Sequence, residues 1–330
     1  MLKGNDGTVI SEIRKTIYII PDQPEEKILN NGVVIHPSQI SINSDLLPVA
    51  AKLGFTKARI DFSWATIEKT VGEYDFTLFD SIMEEANKNG IEVLPILDYN
   101  NILYSDDGAV KGGINTEAER TAFVNYAKAV ANRYPAIDTF EIWNEPNAAG
   151  FWQGEVNADD YSELVAAVSD ALYAINPDYT IYAGAIDVSK SPESFAEAMF
   201  DNGLYATLDA LSYHPYFHPF DVNSEVSAYN TSSFFEDVRI GNFKDILLDN
   251  GGFKDLAATE IGFDAATIDT DGEEVKARET VKAIVTLNAY NLDSNYVFNL
   301  KNEGEEFGIL TTDLAPNSLM YSIAQMNSAL

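Results

Sequence analysis

From about residue 31 onward, short apolar, β-prone runs alternate with longer stretches of helical periodicity. The runs are Val33–His36, Lys57–Asp61, Glu92–Leu97, Thr139–Trp143, Thr180–Ala183, Leu208–Tyr213, Leu256–Ile261 and Tyr296–Leu300. Most are apolar on both parities, which a sheet wetted on one face does not tolerate. Strands buried on both faces are parallel strands under a coat of helices. The intervening segments carry helical signals. Phe79, Ile82, Met83 and Ala86 fall on one stripe, with Gly90 where a C-terminal cap belongs. Thr116 and Glu119 have the spacing of a capping box ahead of Phe123, Tyr126, Ala127 and Val130. Asp159 to Ile175 reads as a helix stopped by Asn176-Pro177, and further helices are expected near Ser191–Phe200, Phe234–Leu248, Glu274–Tyr290 and Ser318–Met326.

Eight strands alternating with helices predict an α/β fold of the (β/α)8 TIM-barrel type, one domain over residues 31–330. A doubly wound open sheet is the competing architecture, and no Gly-rich phosphate loop follows the first strand to favour it. Residues 1–30 fall outside the repeat. They are expected to form an N-terminal extension or short lid, with Thr16–Pro21 as a short strand.

Composition narrows the partners. A net charge of −31 repels nucleic acid and anionic lipid and disfavours a polyanionic substrate, while uncharged sugars remain compatible. The absence of cysteine excludes disulfides, thiolate catalysis and Cys-bound zinc. No run reaches the apolar length of a transmembrane helix, and the first residues lack the apolar core of a signal peptide.

Two of the predicted strands end in a carboxylate. Phe140-Glu141-Ile142-Trp143 runs into Asn144-Glu145-Pro146-Asn147, and Leu256-Ala257-Ala258-Thr259 into Glu260-Ile261-Gly262. In a (β/α)8 barrel the active site lies at the C-terminal ends of the strands. Strands four and seven stand across the mouth from one another, so Glu145 and Glu260 face each other over one cleft. Two facing carboxyl groups are the minimum equipment for breaking a glycosidic bond. A separation of about 5–5.5 Å implies a covalent, retaining mechanism, and a wider gap implies direct attack by water.

Further motifs join this pair in order along the chain. They are Arg59-Ile60-Asp61-Phe62-Ser63-Trp64 with Tyr74-Asp75-Phe76, Leu97-Asp98-Tyr99-Asn100-Asn101, Phe151-Trp152, Ser212-Tyr213-His214-Pro215-Tyr216 and Phe307-Gly308-Ile309-Leu310. With them the chain resembles the clan A glycoside hydrolases over roughly residues 32 to 328, most of all glycoside hydrolase family 39 and its bacterial exopolysaccharide-hydrolase relatives. The resemblance implies that Glu145 is the acid/base and Glu260 the nucleophile of a retaining glycosidase without a cofactor. Glu145 must then hold a proton near neutral pH, and Glu260 must start ionised. Arg59 is the natural positive charge beside Glu260, with a core ion pair to Asp61 or another acid as its structural alternative. Tyr216 is placed to hydrogen-bond Glu260, Asn144 to contact the sugar 2-hydroxyl, and His214 to contact sugar or orient Glu145.

Sugar rings present apolar C–H faces to aromatic side chains. Trp152 and Tyr216 are the expected contacts, with Tyr99, Asn101 and Phe298 as further substrate-binding candidates. His36, at the end of strand one, is either a subsite residue or a core histidine. Phe298-Asn299-Leu300 departs from the family's Tyr-Asp-Leu. No metal site is expected. His214 and His218 have a ligand-like spacing, but Pro215 and Pro219 argue against the helix that would align them. Asp269-Thr270-Asp271-Gly272-Glu273-Glu274 lacks full calcium-loop spacing and reads as a solvated loop. The expected protein is a monomer that acts on a polysaccharide or oligosaccharide and touches neither nucleic acid nor membrane. Family resemblance places it in the secreted or periplasmic space. A xylosidase- or arabinosidase-type exo-glycosidase and a carbohydrate-binding pseudoenzyme on the same barrel are the alternatives.

Overall fold

A computed structural model describes residues 2–3, 9–11, 19–24, 29, 31–42, 45–105, 111–216, 240–265 and 272–330. Eight parallel strands close into a barrel: β1 (Asn31–Val34), β2 (Lys57–Asp61), β3 (Glu92–Leu97), β4 (Thr139–Ile142), β5 (Thr180–Asp187), β6 (Ala210–His214), β7 (Asp255–Ile261) and β8 (Ser294–Val297). Each pairs with its sequence neighbours, and β8 closes on β1 through Asn295 beside Asn31 and Val297 beside Val33. The principal helices that follow them are α1 (Leu46–Lys52), α2 (Thr77–Lys88), α3 (Glu117–Arg133), α4 (Ala158–Tyr173), α5 (Pro192–Asp201), α6 (Ile240–Asp249), α7 (Gly272–Ala289) and α8 (Ser318–Ala329). The barrel predicted from the alternation is the fold.

The strands have the limits set by their apolar runs at β2 and β3. Elsewhere the ends move. The last barrel strand covers Ser294–Val297 rather than Tyr296–Leu300. Ser294 and Asn295 are buried there, where Ser294 meets the Tyr182 hydroxyl at 3.0 Å, so hydropathy alone placed the strand too late. Two-stranded ribbons over Leu2–Lys3 with Val9–Ser11, and Glu68–Thr70 with Glu73–Tyr74, were not foreseen. Residues 16–18 of the expected strand Thr16–Pro21 lie outside the described residues, and residues 19–21 are not strand. Residues 234–239 of the expected helix Phe234–Leu248 and residues 269–271 of the acidic loop also lie outside them.

One hydrophobic layer separates strands from helices. On α2, Phe79, Ile82, Met83 and Ala86 are buried, and on α3 Phe123, Tyr126, Ala127 and Val130, as their spacing requires. Helix α3 starts on the reciprocal Thr116–Glu119 capping box, a local contribution of about 1 kcal/mol. A second, smaller cluster fills the barrel axis with Val34, Leu94, Tyr182, Ala210, Ala257 and Tyr296. With the axis plugged by side chains, the cleft is confined to one mouth. No helix among the described residues is long and apolar enough to cross a membrane.

Candidate active site

The β4 segment turns sharply after Ile142. Trp143 and Glu145 both take left-handed backbone conformations, with φ of 69° and 48°, which non-glycine residues adopt only where the surroundings enforce them. Those surroundings are well defined. The Trp143 amide donates to the Leu97 carbonyl at 3.0 Å, and its indole N–H to the Phe151 carbonyl at 3.0 Å. The Glu145 amide donates to the Ala185 carbonyl at 3.2 Å. Asn147 donates to the carbonyls of Asp187 and Lys190 and accepts from the Asp187 amide at 2.9 Å. Strand β5 is itself irregular where it meets this loop. Gly184 has φ of +119°, and a Cβ there would come within 2.5 Å of the Ser212 carbonyl oxygen. Only glycine fits at that point.

Arg59, fully buried on β2, ties the site together. Its Nη1 donates to Glu260 Oε1 at 2.5 Å, its Nε to Glu141 Oε2 at 2.5 Å and its Nη2 to Asn144 Oδ1 at 2.9 Å. Both readings of Arg59 therefore apply: it neutralises a core acid and sits against the β7 carboxylate. The core acid is Glu141, not Asp61. Glu141 was not singled out in the sequence, although it alternates with Phe140 and Ile142 and so points into the barrel.

Glu145 and Glu260 are 8% and 7% exposed, and an oxygen of each lies within 4.8 Å of the other. His214 stands between them, with Nδ1 2.9 Å from Glu145 Oε1 and 3.7 Å from Glu260 Oε2. The Tyr216 hydroxyl donates to Glu260 Oε2. Desolvation pushes the Glu145 carboxyl above the usual range, with the charges of Glu260 and Asp187 adding to it against the pull of His214. Burial also pushes Glu260 up. There the charges of His214 and Arg59, with hydrogen bonds from Tyr216 and Arg59, outweigh it and hold the carboxyl below the usual range. One carboxyl is thus set to keep its proton while its neighbour gives one up. Burial lowers His214, but the nearby Glu260 and Glu145 carboxylates hold it above the ordinary histidine value.

The two glutamates open into a cleft of about 840 Å³. His36, Tyr99, Asn144, Tyr216 and Phe298 line it, as expected. His36 Nδ1 is 2.9 Å from Asp61 Oδ2 and its Nε2 3.6 Å from Glu303 Oε2, which favours a subsite position over a core one. Two expected contacts are elsewhere. Trp152 is 0% exposed, packed edge-on against Trp143 at 4.9 Å and Tyr161 at 5.9 Å. Asn101 is buried in its own loop, donating to the Glu68 carbonyl at 2.7 Å and accepting from the Leu103 amide at 3.0 Å. Both are supports of the strand-end loops and not walls of the cleft. Phe151, next to Trp152, is the ring that faces the cleft, with Lys111 Nζ 4.2 Å above it. Asp61, Asp98, Lys111 and Phe307 also line the cleft; three of these four lie in the strand-end motifs, but the sequence marked none of them as a substrate contact. His218 lies outside the described residues. Among the described residues, Glu145, His214 and Glu260 form the one cluster close enough to ligate a cation. The guanidinium of Arg59 already neutralises Glu260 there.

A family model described as Cellulase (glycosyl hydrolase family 5) matches residues 22–304. No curated protein matches. Among solved structures, a family 39 glycoside hydrolase from the gut symbiont Bacteroides cellulosilyticus superposes with a TM-score of 0.76 at 21% identity, over 94% of this chain and 66% of that one. A family 39 enzyme from Xanthomonas axonopodis pv. citri gives 0.67 at 16% identity, over 92% and 67%. A monomeric β-xylosidase from Caulobacter crescentus gives 0.67 at 16% identity, over 94% and 70%. The chain thus spans about two thirds of the length of these enzymes. At such identities the likeness is one of fold.

Proposed function

The chain belongs to the cellulase family, glycosyl hydrolase family 5, and on that premise we propose that it is a retaining glycoside hydrolase acting on a polysaccharide or oligosaccharide. The observation that carries the reading is the approach of Glu145 and Glu260 to within 4.8 Å, with their proton affinities pushed in opposite directions. That spacing suits a nucleophile and leaves too little room for a water between them.

In the first step Glu260 Oε attacks the anomeric carbon while Glu145 passes its proton to the departing glycosidic oxygen. A covalent glycosyl-enzyme forms and the leaving sugar departs as an alcohol. Bonding neutralises Glu260, which removes one charge that had held Glu145 protonated. Glu145 then takes a proton from water, whose oxygen attacks the anomeric carbon and frees Glu260. The configuration is retained after two inversions. Arg59 and Tyr216 keep Glu260 ionised and aimed. Arg59 also holds the Asn144 oxygen, which turns the Asn144 amide N–H groups toward the sugar. Tyr99, Tyr216 and Phe298 supply aromatic surface for the ring faces. Intact catalytic carboxyls argue against a binding-only pseudoenzyme.

The likeness to a solved β-xylosidase supports trying xylosides first if the action is exo. We further propose that it works outside the cytoplasm, where polymeric substrates are found, and as a monomer, in line with the monomeric β-xylosidase from Caulobacter crescentus; the double displacement needs no cofactor. The test is hydrolysis of a panel of aryl glycosides and purified polysaccharides by the wild-type protein and by Glu145→Gln. Turnover of at least one substrate by the wild type, and its loss in the variant, is the expected result. Equal activity in both would overturn the assignment.

A further inference from the structure

Lys276 stands near the start of α7, outside the ring of strands, and is 0% exposed. Its ammonium donates to Glu273 Oε1 at 2.8 Å and to the carbonyls of Glu306 at 2.8 Å and Gly308 at 3.1 Å. Each of its three N–H groups thus has an acceptor. A buried charge adds little net stability, because desolvation offsets most of what its bonds contribute, and it serves better to fix a geometry. The geometry fixed here is that of Phe307, since Glu306 and Gly308 flank it in the chain.

Other bonds hold the same short segment. The Glu306 amide donates to Asp264 Oδ1 at 3.0 Å, and the Gly308 carbonyl also accepts from the Asn317 side chain at 2.8 Å. A Cβ at Gly308 would come within 2.3 Å of the Asn302 backbone nitrogen, so the chain passes closely there. With its backbone held, the Phe307 ring meets Tyr216 edge-on at 5.6 Å and Phe298 at 5.5 Å. Tyr216 and Phe298 close the trio at 5.9 Å. Gly262, two residues after Glu260, leaves room for it: a Cβ there would come within 2.5 Å of the Phe298 carbonyl oxygen and 3.1 Å of the Phe307 ring. Phe307 therefore packs on the tyrosine whose hydroxyl donates to Glu260.

We propose that Lys276 is a positioning residue of the reaction: from behind the barrel wall it clamps the backbone on both sides of Phe307, and so keeps Tyr216 in hydrogen-bonding register with Glu260. The proposal rests on the glycosidase reading for the role of Glu260. That carboxyl is faced by Arg59 from β2, by Glu145 after β4, by His214 and Tyr216 from β6 and its end, and by His36 after β1. Of these groups Tyr216 packs on the Phe307 ring. Releasing the clamp weakens the bond from Tyr216 and leaves the charges of Arg59 and His214 in place. The Tyr216 bond is one of the contacts that lower Glu260, so weakening it raises that carboxyl and moves the acid limb of activity to higher pH.

The test is the pH profile of kcat/KM, on an aryl glycoside that the wild type hydrolyses, for Lys276→Met, Phe307→Leu, Tyr216→Phe and Lys276→Met combined with Tyr216→Phe. Circular dichroism checks each fold. Tyr216→Phe should move the acid limb up by about one pH unit. Lys276→Met and Phe307→Leu should each move it by about half a unit and lower kcat about tenfold, with the alkaline limb in place. In the combined variant the acid limb should stay where Tyr216→Phe alone puts it, because both act through one bond. An acid limb unmoved in folded Lys276→Met overturns the proposal, and so do shifts that add in the combined variant. If Lys276→Met does not fold, Phe307→Leu decides, since its ring borders the cleft, and an unmoved limb there overturns the proposal too. Each of these leaves the glycosidase reading standing, whereas a wild type without turnover on any substrate overturns both.

Discussion

At the lower mouth of the barrel, under the N-terminal ends of β5 to β8, Asp178, Asp209, Asp255 and Asp293 line a hollow of about 350 Å³. At the upper mouth a comparable abundance of acid surrounds Glu145 and Glu260. The local chemistry differs. Below, Asp209 accepts from the Ile181 amide at 2.8 Å and the Tyr173 hydroxyl at 2.7 Å, and Asp293 from the Tyr182 hydroxyl. These acids close strand ends and tie helices to the barrel. Above, the carboxyls are held by charges rather than by the backbone. Arg59 and His214 set Glu260 and Glu145 apart, and Asp98 faces the Asp61 carboxyl, with which it shares a hydrogen bond. Acid satisfied by backbone and hydroxyl donors alone, with no charged neighbour at hand, is architecture. Acid left to titrate against neighbouring charges is chemistry.

The comparison breaks most sharply at Glu260. Glu260→Ala should lower kcat on the order of 10⁵-fold with the circular-dichroism spectrum unchanged, because a group that bonds to the substrate is removed. A loss under tenfold would mean that the upper mouth is no more reactive than the lower. Glu145→Gln should cost about 10² to 10⁴-fold, the usual range for a general acid. The loss should shrink for aryl glycosides whose leaving group needs no proton, and steady-state rates on two leaving groups measure this.

Neither glutamate could be assigned from its own letter, yet both were legible. An apolar run ending in Asn-Glu-Pro, and another ending in Thr-Glu-Ile-Gly, put carboxylates at strand ends, and the strand count put those ends across one mouth. Arg59 was legible as the counter-charge. Trp152 and Asn101 were not, because a ring or amide in a strand-end loop can turn toward cleft or core with the same sequence. The packing of Trp152 against Trp143 and Tyr161, residues from β4's loop and α4, decides it, and that contact is tertiary. Asp98 was not legible either, since nothing local reveals that its carboxyl is buried against that of Asp61.

The pH profile sharpens the comparison further. Activity needs Glu145 protonated and Glu260 ionised. It should fall as pH rises through the raised Glu145 value, and as pH drops through the lowered Glu260 value. His214 pulls both glutamates down, so His214→Gln should move both limbs of kcat/KM to higher pH. Limbs that stay in place would remove His214 from the electrostatic account. The smallest effect belongs to the lower mouth. Asp209→Asn should leave kcat within about twofold while costing about 1–2 kcal/mol of stability in urea melts, since it weakens two hydrogen bonds far from the reacting atoms. A large loss of rate there would erase the distinction between the two ends.

The measurement that bears most directly on the paired carboxyls is proton NMR of the first sugar released, recorded before its anomers equilibrate. Two displacements at one carbon predict a product with the configuration of the substrate. An inverted first product would contradict a bond to Glu260, and with it the roles given to both glutamates.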